Sequence, residues 1–184
     1  FYGGTYFPKV ARQGMASFVD VLKTVADAYH SRRGDVLQAA SQIVGHIQGQ
    51  TRHPGGELMT SALLSQAVQR LAAAFDWDHG GFGSAPKFPQ PMALEFLMRS
   101  YRRQPDARAL QMVEHTLTQM ARGGIYDQIG GGFHRYSTDA HWLVPHFEKM
   151  LYDNAQLARA YLAAWKVERA PRWARVVRET LDYV

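Results

Sequence analysis

Apolar residues recur at three- and four-residue intervals along most of this chain, the period of an amphipathic helix. Phe18, Val21, Leu22, Val25 and Tyr29 fall on one face of such a helix, with Ser17 placed to cap its start. From Asp35 to about Gln48 a second face carries Val36, Leu37, Ala40, Ile43, Val44 and Ile47. Further on, the pattern predicts helices over 61–75, 91–103, 106–122, 145–166 and 171–184. Pro91 and Pro171 suit first-turn positions, and Gly123 and Gly124 suit a helix stop. Residues 1–8, Phe-Tyr-Gly-Gly-Thr-Tyr-Phe-Pro, read instead as a strand or strand end. Residues 49–57 are polar, with Pro54 and paired glycines, and read as a linker. The expected organisation is a first part over 1–48, a linker over 49–57 and a helical part over 58–184. The chain opens on Phe1 and closes at Val184 within a helical stretch, so it reads as a fragment of a longer protein.

One motif occurs twice. The first copy runs Asp76-Trp-Asp-His-Gly-Gly-Phe-Gly and then Pro86-Lys-Phe88. The second runs Asp127-Gln-Ile-Gly-Gly-Gly-Phe133-His-Arg-Tyr and then Pro145-His-Phe147. The Gly-Gly-Phe elements are 51 residues apart and the Pro-x-Phe elements 59, so the second loop has eight extra residues, among them His141 and Trp142. Self-similarity at this period indicates a repeated supersecondary unit. Here it is a helical hairpin with a glycine-rich loop. Stacked hairpins close into an α/α toroid whose loops at one end frame a central cavity. The two loops are therefore expected at the same end of the array.

Composition narrows the classes. The 184 residues are 46% hydrophobic, enough for a sizeable core. There is no cysteine, which rules out disulfides and thiolate metal sites within this chain and fits a reducing, cytoplasmic setting. No apolar run reaches the length of a membrane span, about 18 residues. The net charge is +5, and six basic residues lie between Arg159 and Arg178. They spread around a helix pair, which reads as a solvated face rather than a nucleic-acid interface.

The stretch from Gly123 to Asn154 is densest in chemistry-bearing side chains. Aromatics beside carboxylates and imidazoles are what a sugar site uses: rings stack on the apolar sugar face, while acids and histidines bind hydroxyls or move protons. The candidates for catalysis are His146, Glu148, Asp153, His134 and Asp127. Those for holding substrate are Trp142, Tyr126, Arg135, Phe82 and Lys87. The alternative is that the glycines make a tight hairpin and the aromatics are core. On a helix starting at Pro145, His146 and Asp153 share a face with Lys149, and Lys149 can pair with Asp153 at i, i+4. His146 and Trp142 are expected to face one cavity with Asp127 or His134. Lys87, between two prolines, reads as a solvent-facing lysine or as a partner for an acidic ligand group. His134, Asp139, His141 and His146 lack any strong ligand spacing, and Asp76 and Asp78 open a calcium-loop pattern that fails at its twelfth position. No metal and no cofactor is expected.

Residues 1–8, the run Gly-Gly-Phe-Gly-Ser-Ala-Pro-Lys-Phe-Pro at 80–89, and the segment from Gly123 through Asn154 resemble the spermatogenesis-associated protein 20-like family of thioredoxin domain-containing proteins. The resemblance covers essentially the whole chain. It implies a mostly α fold: part of an (α/α)6 toroid of the six-hairpin glycosidase kind, similar to N-acylglucosamine 2-epimerases, preceded by the C-terminal remnant of a thioredoxin-like α/β domain. The family's cysteine motif would lie upstream of Phe1, so this chain carries no thiol redox chemistry of its own. The implied function is a carbohydrate-active toroid, hydrolase- or epimerase-like, joined to a thioredoxin-like domain. The competing expectation is a non-catalytic binding module that serves the thioredoxin-like half in redox or protein-folding work. The expected partner is a small carbohydrate, with neither nucleic acid nor membrane.

Overall fold

The computed structural model describes residues 6–51 and 60–184. The first five residues of the expected opening strand, and most of the expected linker, lie outside the described residues. Two compact units emerge, Phe1–Leu58 and Met59–Val184.

The first unit holds α1 (Phe18–Ser31) and α2 (Arg33–Thr51). The Ser17 hydroxyl caps α1 by accepting the Asp20 amide at 3.2 Å. The two helices pack on each other, yet Phe18, Leu22 and Leu37 stay exposed. A pair of helices can cover only one stripe of each.

The second unit holds α3 (Ser61–Ala73), α4 (Pro91–Arg103), α5 (Ala107–Arg122), α6 (Leu151–Glu168) and α7 (Pro171–Tyr183). Thr60 caps α3 and Asp106 caps α5 through their side chains. Proline opens α4 and α7, where its missing N–H costs nothing. Neighbouring helices pack in sequence, and α4 also lies against α6 while α3 lies against α5. Alternate helices thus form two layers, the arrangement of stacked hairpins. The layers bury Leu94, Leu97, Met112, Leu117, Leu157 and Trp173 between them. Tyr161 extends this core and satisfies its hydroxyl by donating to the Leu117 carbonyl at 2.8 Å. Among the described residues no helix is long and apolar enough to cross a membrane.

The long loops, 74–90 and 123–150, precede α4 and α6. Each is closed by an isolated bridge, Phe75 with Phe82 and Tyr126 with Phe133. The expected helix over 145–166 begins only at Leu151. Backbone groups of this stretch are instead spent across the loop. The His146 amide donates to the Tyr136 carbonyl at 2.9 Å, and the Arg135 amide to the Glu148 carbonyl at 2.7 Å. Residues 145–148 are therefore not helical, and the predicted shared helical face of His146, Lys149 and Asp153 does not exist.

Candidate functional site

The two loops are built alike, from an aspartate outward. The Asp76 amide donates to the Gly81 carbonyl at 3.0 Å, and the Gly80 amide returns to the Asp76 carbonyl at 2.8 Å. In the second loop the Asp127 amide donates to Gly132 at 2.9 Å and the Gly131 amide to Asp127 at 3.0 Å. Asp76 Oδ1 accepts the amides of Asp78 and His79, and Asp127 Oδ1 accepts those of Ile129 and Gly130. The remaining oxygen of each meets an ammonium: Lys87 at 2.6 Å from Asp76, Lys149 at 2.8 Å from Asp127. Gly80 (φ +72°) and Gly131 (φ +72°) sit in the left-handed region, and each backs onto the backbone of a flanking helix, α5 and α7. Only glycine meets both conditions without strain.

Burial alone would raise Asp76, but the Lys87 ammonium and the two amides overcome it and bring the carboxyl to about 2. For Asp127 the Gly130 amide is the largest influence, followed by Lys149, and the carboxyl is held well below the ordinary range. Both are loop braces. Asp127 thus has every oxygen engaged in holding its own loop, and Lys149 pairs with it rather than with Asp153. Lys87 is fully buried rather than solvent-facing. It also donates to the Ala140 carbonyl at 3.1 Å, and its burial closes it to a ligand.

Trp142 completes this frame. It is fully buried, and its indole N–H donates to the His79 carbonyl at 2.9 Å, tying the eight-residue insertion of the second loop onto the first. The ring lies under the Lys87 ammonium, 5.1 Å from it. Lys87 and Ser137 bridge the loops as well. The two loops therefore share one end of the helices, as the repeat implied. The expectation that Trp142 and His146 face one cavity fails, because the Trp142 ring is a wedge between loops. Phe82 and Tyr126 are likewise core residues: Phe82 packs on Phe75, and Tyr126 packs on Phe133 and donates its hydroxyl to Glu179.

The other candidates gather on the outer edge of the second loop. Arg135 Nη1 lies 3.2 Å from Glu148 Oε2, and His146 Nδ1 lies 3.3 Å from the same oxygen. The His146 ring stacks on Tyr136 at 4.8 Å, and Tyr136 meets Phe88 at 4.9 Å. Phe147, 83% exposed, stands edge-on to His134. His134 is nearly buried, and its Nδ1 has no hydrogen-bond partner. Burial, and then the Lys149 charge, lowers its pKa and favours the neutral ring. Asp153 goes the other way: burial raises its pKa, opposed by Arg135. Asp153 lines a cavity of about 320 Å³ at the start of α4, with Gln90, Pro91, Met92 and Gln156. Gln90 holds φ +47° there, rare for a side chain of its kind, and its amide caps nothing. Tyr136, Phe147, Phe88 and Gln90 join this edge beyond the residues the sequence singles out. The Pro-x-Phe repeat was a signal for the two phenylalanines; nothing in the sequence marks Gln90. Among the described residues no group of three or more His, Cys, Asp or Glu is gathered as a metal site.

A helical-hairpin array with one loop-bearing end is the toroid class. A solved structure titled as a sugar epimerase from a ruminal bacterium matches 66% of this chain and 36% of its own, at TM-score 0.54 and 14% identity, a likeness of fold. The fold is accordingly mostly α, part of an (α/α)6 toroid with a thioredoxin-like portion before it. A family model described as Thioredox_DsbH, protein of unknown function, DUF255, matches residues 1–48. Spermatogenesis-associated protein 20 of Mus musculus is 39% identical over all of this chain, and that of Homo sapiens 38%. The chain spans 24% of the length of each. It is homologous along its whole length to this segment of the spermatogenesis-associated protein 20-like proteins.

Proposed function

We propose that the edge formed by His134, Arg135, His146, Glu148 and Asp153 is a carbohydrate site that works by proton transfer, of the epimerase type. The observation that carries the reading is a pair of opposite needs met by one cause. Burial favours an uncharged imidazole at His134, which suits a base, and a protonated carboxyl at Asp153, which suits an acid. Arg135 lies between the Glu148 carboxylate and the field of Asp153, where it can steady negative charge on a sugar oxygen. Phe88 and Phe147 offer exposed ring surface for the apolar face of a sugar.

In this scheme the His134 imidazole removes the proton on the sugar carbon next to the carbonyl. The electron pair moves onto the carbonyl oxygen as an enediolate. Asp153 delivers a proton to the opposite face of that carbon, and solvent resets both groups. Epimerisation of this kind exchanges protons only and calls for no redox cofactor. The epimerase title of the structural neighbour supports this choice of chemistry. A hydrolytic reading rests on Glu148 and Asp153 as a carboxyl pair. The alternative of a binding module for the thioredoxin-like half predicts ligand binding that survives loss of His134 and Asp153. The cysteine-free composition supports a cytoplasmic setting.

The test is incubation with reducing hexoses and 2-acetamido hexoses in D2O, followed by proton NMR of the carbon next to the carbonyl. Deuterium entry at that carbon, above a protein-free control, is the expected result. Release of sugar from aryl glycosides without such exchange would replace epimerisation with hydrolysis.

A further inference from the structure

The open faces of α4 and α6 carry a second feature, at the far end from the loops. A groove of about 650 Å³ runs between them towards their C-terminal ends, lined by Glu95, Arg99, Arg102, Trp165, Lys166 and Arg169 among others. Its size suits a small metabolite. Its charge is one-sided. Arg159 joins it from α6 through Glu95, giving five cations around a single carboxylate.

That carboxylate already has two arginine partners. Arg99 Nη2 lies 2.7 Å and Arg159 Nη2 2.8 Å from the same Glu95 oxygen, and the Arg99 guanidinium, with Arg159 behind it, holds the Glu95 carboxyl below its ordinary range. Arg102 and Lys166 have no ion-pair partner among the described residues. Arg169 is fixed differently: its backbone is left-handed at φ +59°, and its guanidinium lies on the Trp165 ring at 4.1 Å. Favourable interaction with the helix C-termini accounts for a cation in each last turn. It does not account for their convergence, from two helices, on one concave surface.

We propose that this groove binds a phosphate group, free or carried on a small metabolite, with Arg102 and Lys166 as its principal contacts and Arg99 at its edge. Arginine and lysine supply the fork and the point charge that phosphate oxygens take. The site stands apart from the loop edge. Arg102 lies ten residues along α4 from Met92, about 15 Å of helix. It does not depend on the sugar chemistry proposed above.

The experiment is a titration of this chain, followed by amide NMR shifts, with inorganic phosphate, glucose 6-phosphate and glucose. The expected result is saturable shifts at Arg102 and Lys166 with the two phosphates and none there with glucose. Tighter binding of glucose 6-phosphate assigns a phosphorylated metabolite, and equal binding assigns free phosphate. The Arg102→Gln/Lys166→Gln variant, checked for an unchanged fold by its spectrum, should weaken binding at least tenfold, whereas Arg178→Gln, a charge lost from α7 outside the groove, should leave it unaltered. Shifts that do not saturate, that glucose reproduces, or that survive in the double variant would overturn the proposal and leave these cations as caps of the helix ends. If the double variant does not fold, raised salt on the wild-type chain serves instead. Binding that is unmoved by 0.5 M sodium chloride would equally overturn it.

Discussion

The Lys87 ammonium, fully buried, donates to the Asp76 carboxylate at 2.6 Å and reaches it from the far side of the first loop. Lys149 repeats the contact with Asp127. Each pair fixes a glycine turn whose amides already hold the same aspartate. The loops are thus rigid before any ligand arrives, which is what a positioned site requires.

Removing the cation should therefore cost more than removing the pair. Lys87→Met leaves Asp76 charged beside an apolar group and should destabilise unit 2 by about 3 kcal/mol. Asp76→Asn combined with Lys87→Met should recover part of that loss. Urea unfolding of the two variants and the wild type checks this, and additive losses would mean that the contact is not coupled.

Acid should loosen the same braces. Asp76 and Asp127 both have folded pKa values below the ordinary carboxylate value of 3.8. Their contribution is therefore full above that value and is lost as pH falls through the folded values. For Asp76 that window runs from 3.8 down to about 2. Its contribution is about 1–2 kcal/mol after allowance for solvent screening. Melting temperature should drop across this window, and the drop should be smaller in Asp76→Asn.

Two glycines with nearly equal φ should respond differently to a methyl group. Gly131 and Gly83 lie at φ +72° and +78°. A Cβ on Gly131 would collide with the Glu179 carbonyl, whereas one on Gly83 meets open space. Gly83→Ala should cost only the left-handed strain, about 1–2 kcal/mol. Gly131→Ala should cost clearly more, because α7 must move as well. Thermal melts of the two variants give the comparison.

The helices were legible because each carries its own period and its own stops: Ser17, Pro91 and Pro171 mark real starts. The α6 start lies later than its pattern predicts because Pro145 imitates a first-turn proline. The bond that ties His146 into the loop comes from Tyr136, ten residues earlier, and no local period reports it. The repeat aligned Asp76 with Asp127 correctly. It could not align Lys87 with Lys149, which follow their aspartates by 11 and 22 residues. Trp142 looked like a sugar platform because it is aromatic and lies in an insertion. Its role depends on the His79 carbonyl, 63 residues away in sequence.

The most direct measurement is solvent-deuterium exchange into a reducing sugar by three forms of the protein: wild type, His134→Gln and Asp153→Asn. The account predicts exchange in the wild type. It predicts at least a hundredfold loss in each variant, the usual scale for one acid or base, with melting temperatures little changed. Sugar binding with no exchange in the wild type, and undiminished in both variants, would contradict a catalytic site and leave a binding surface in its place.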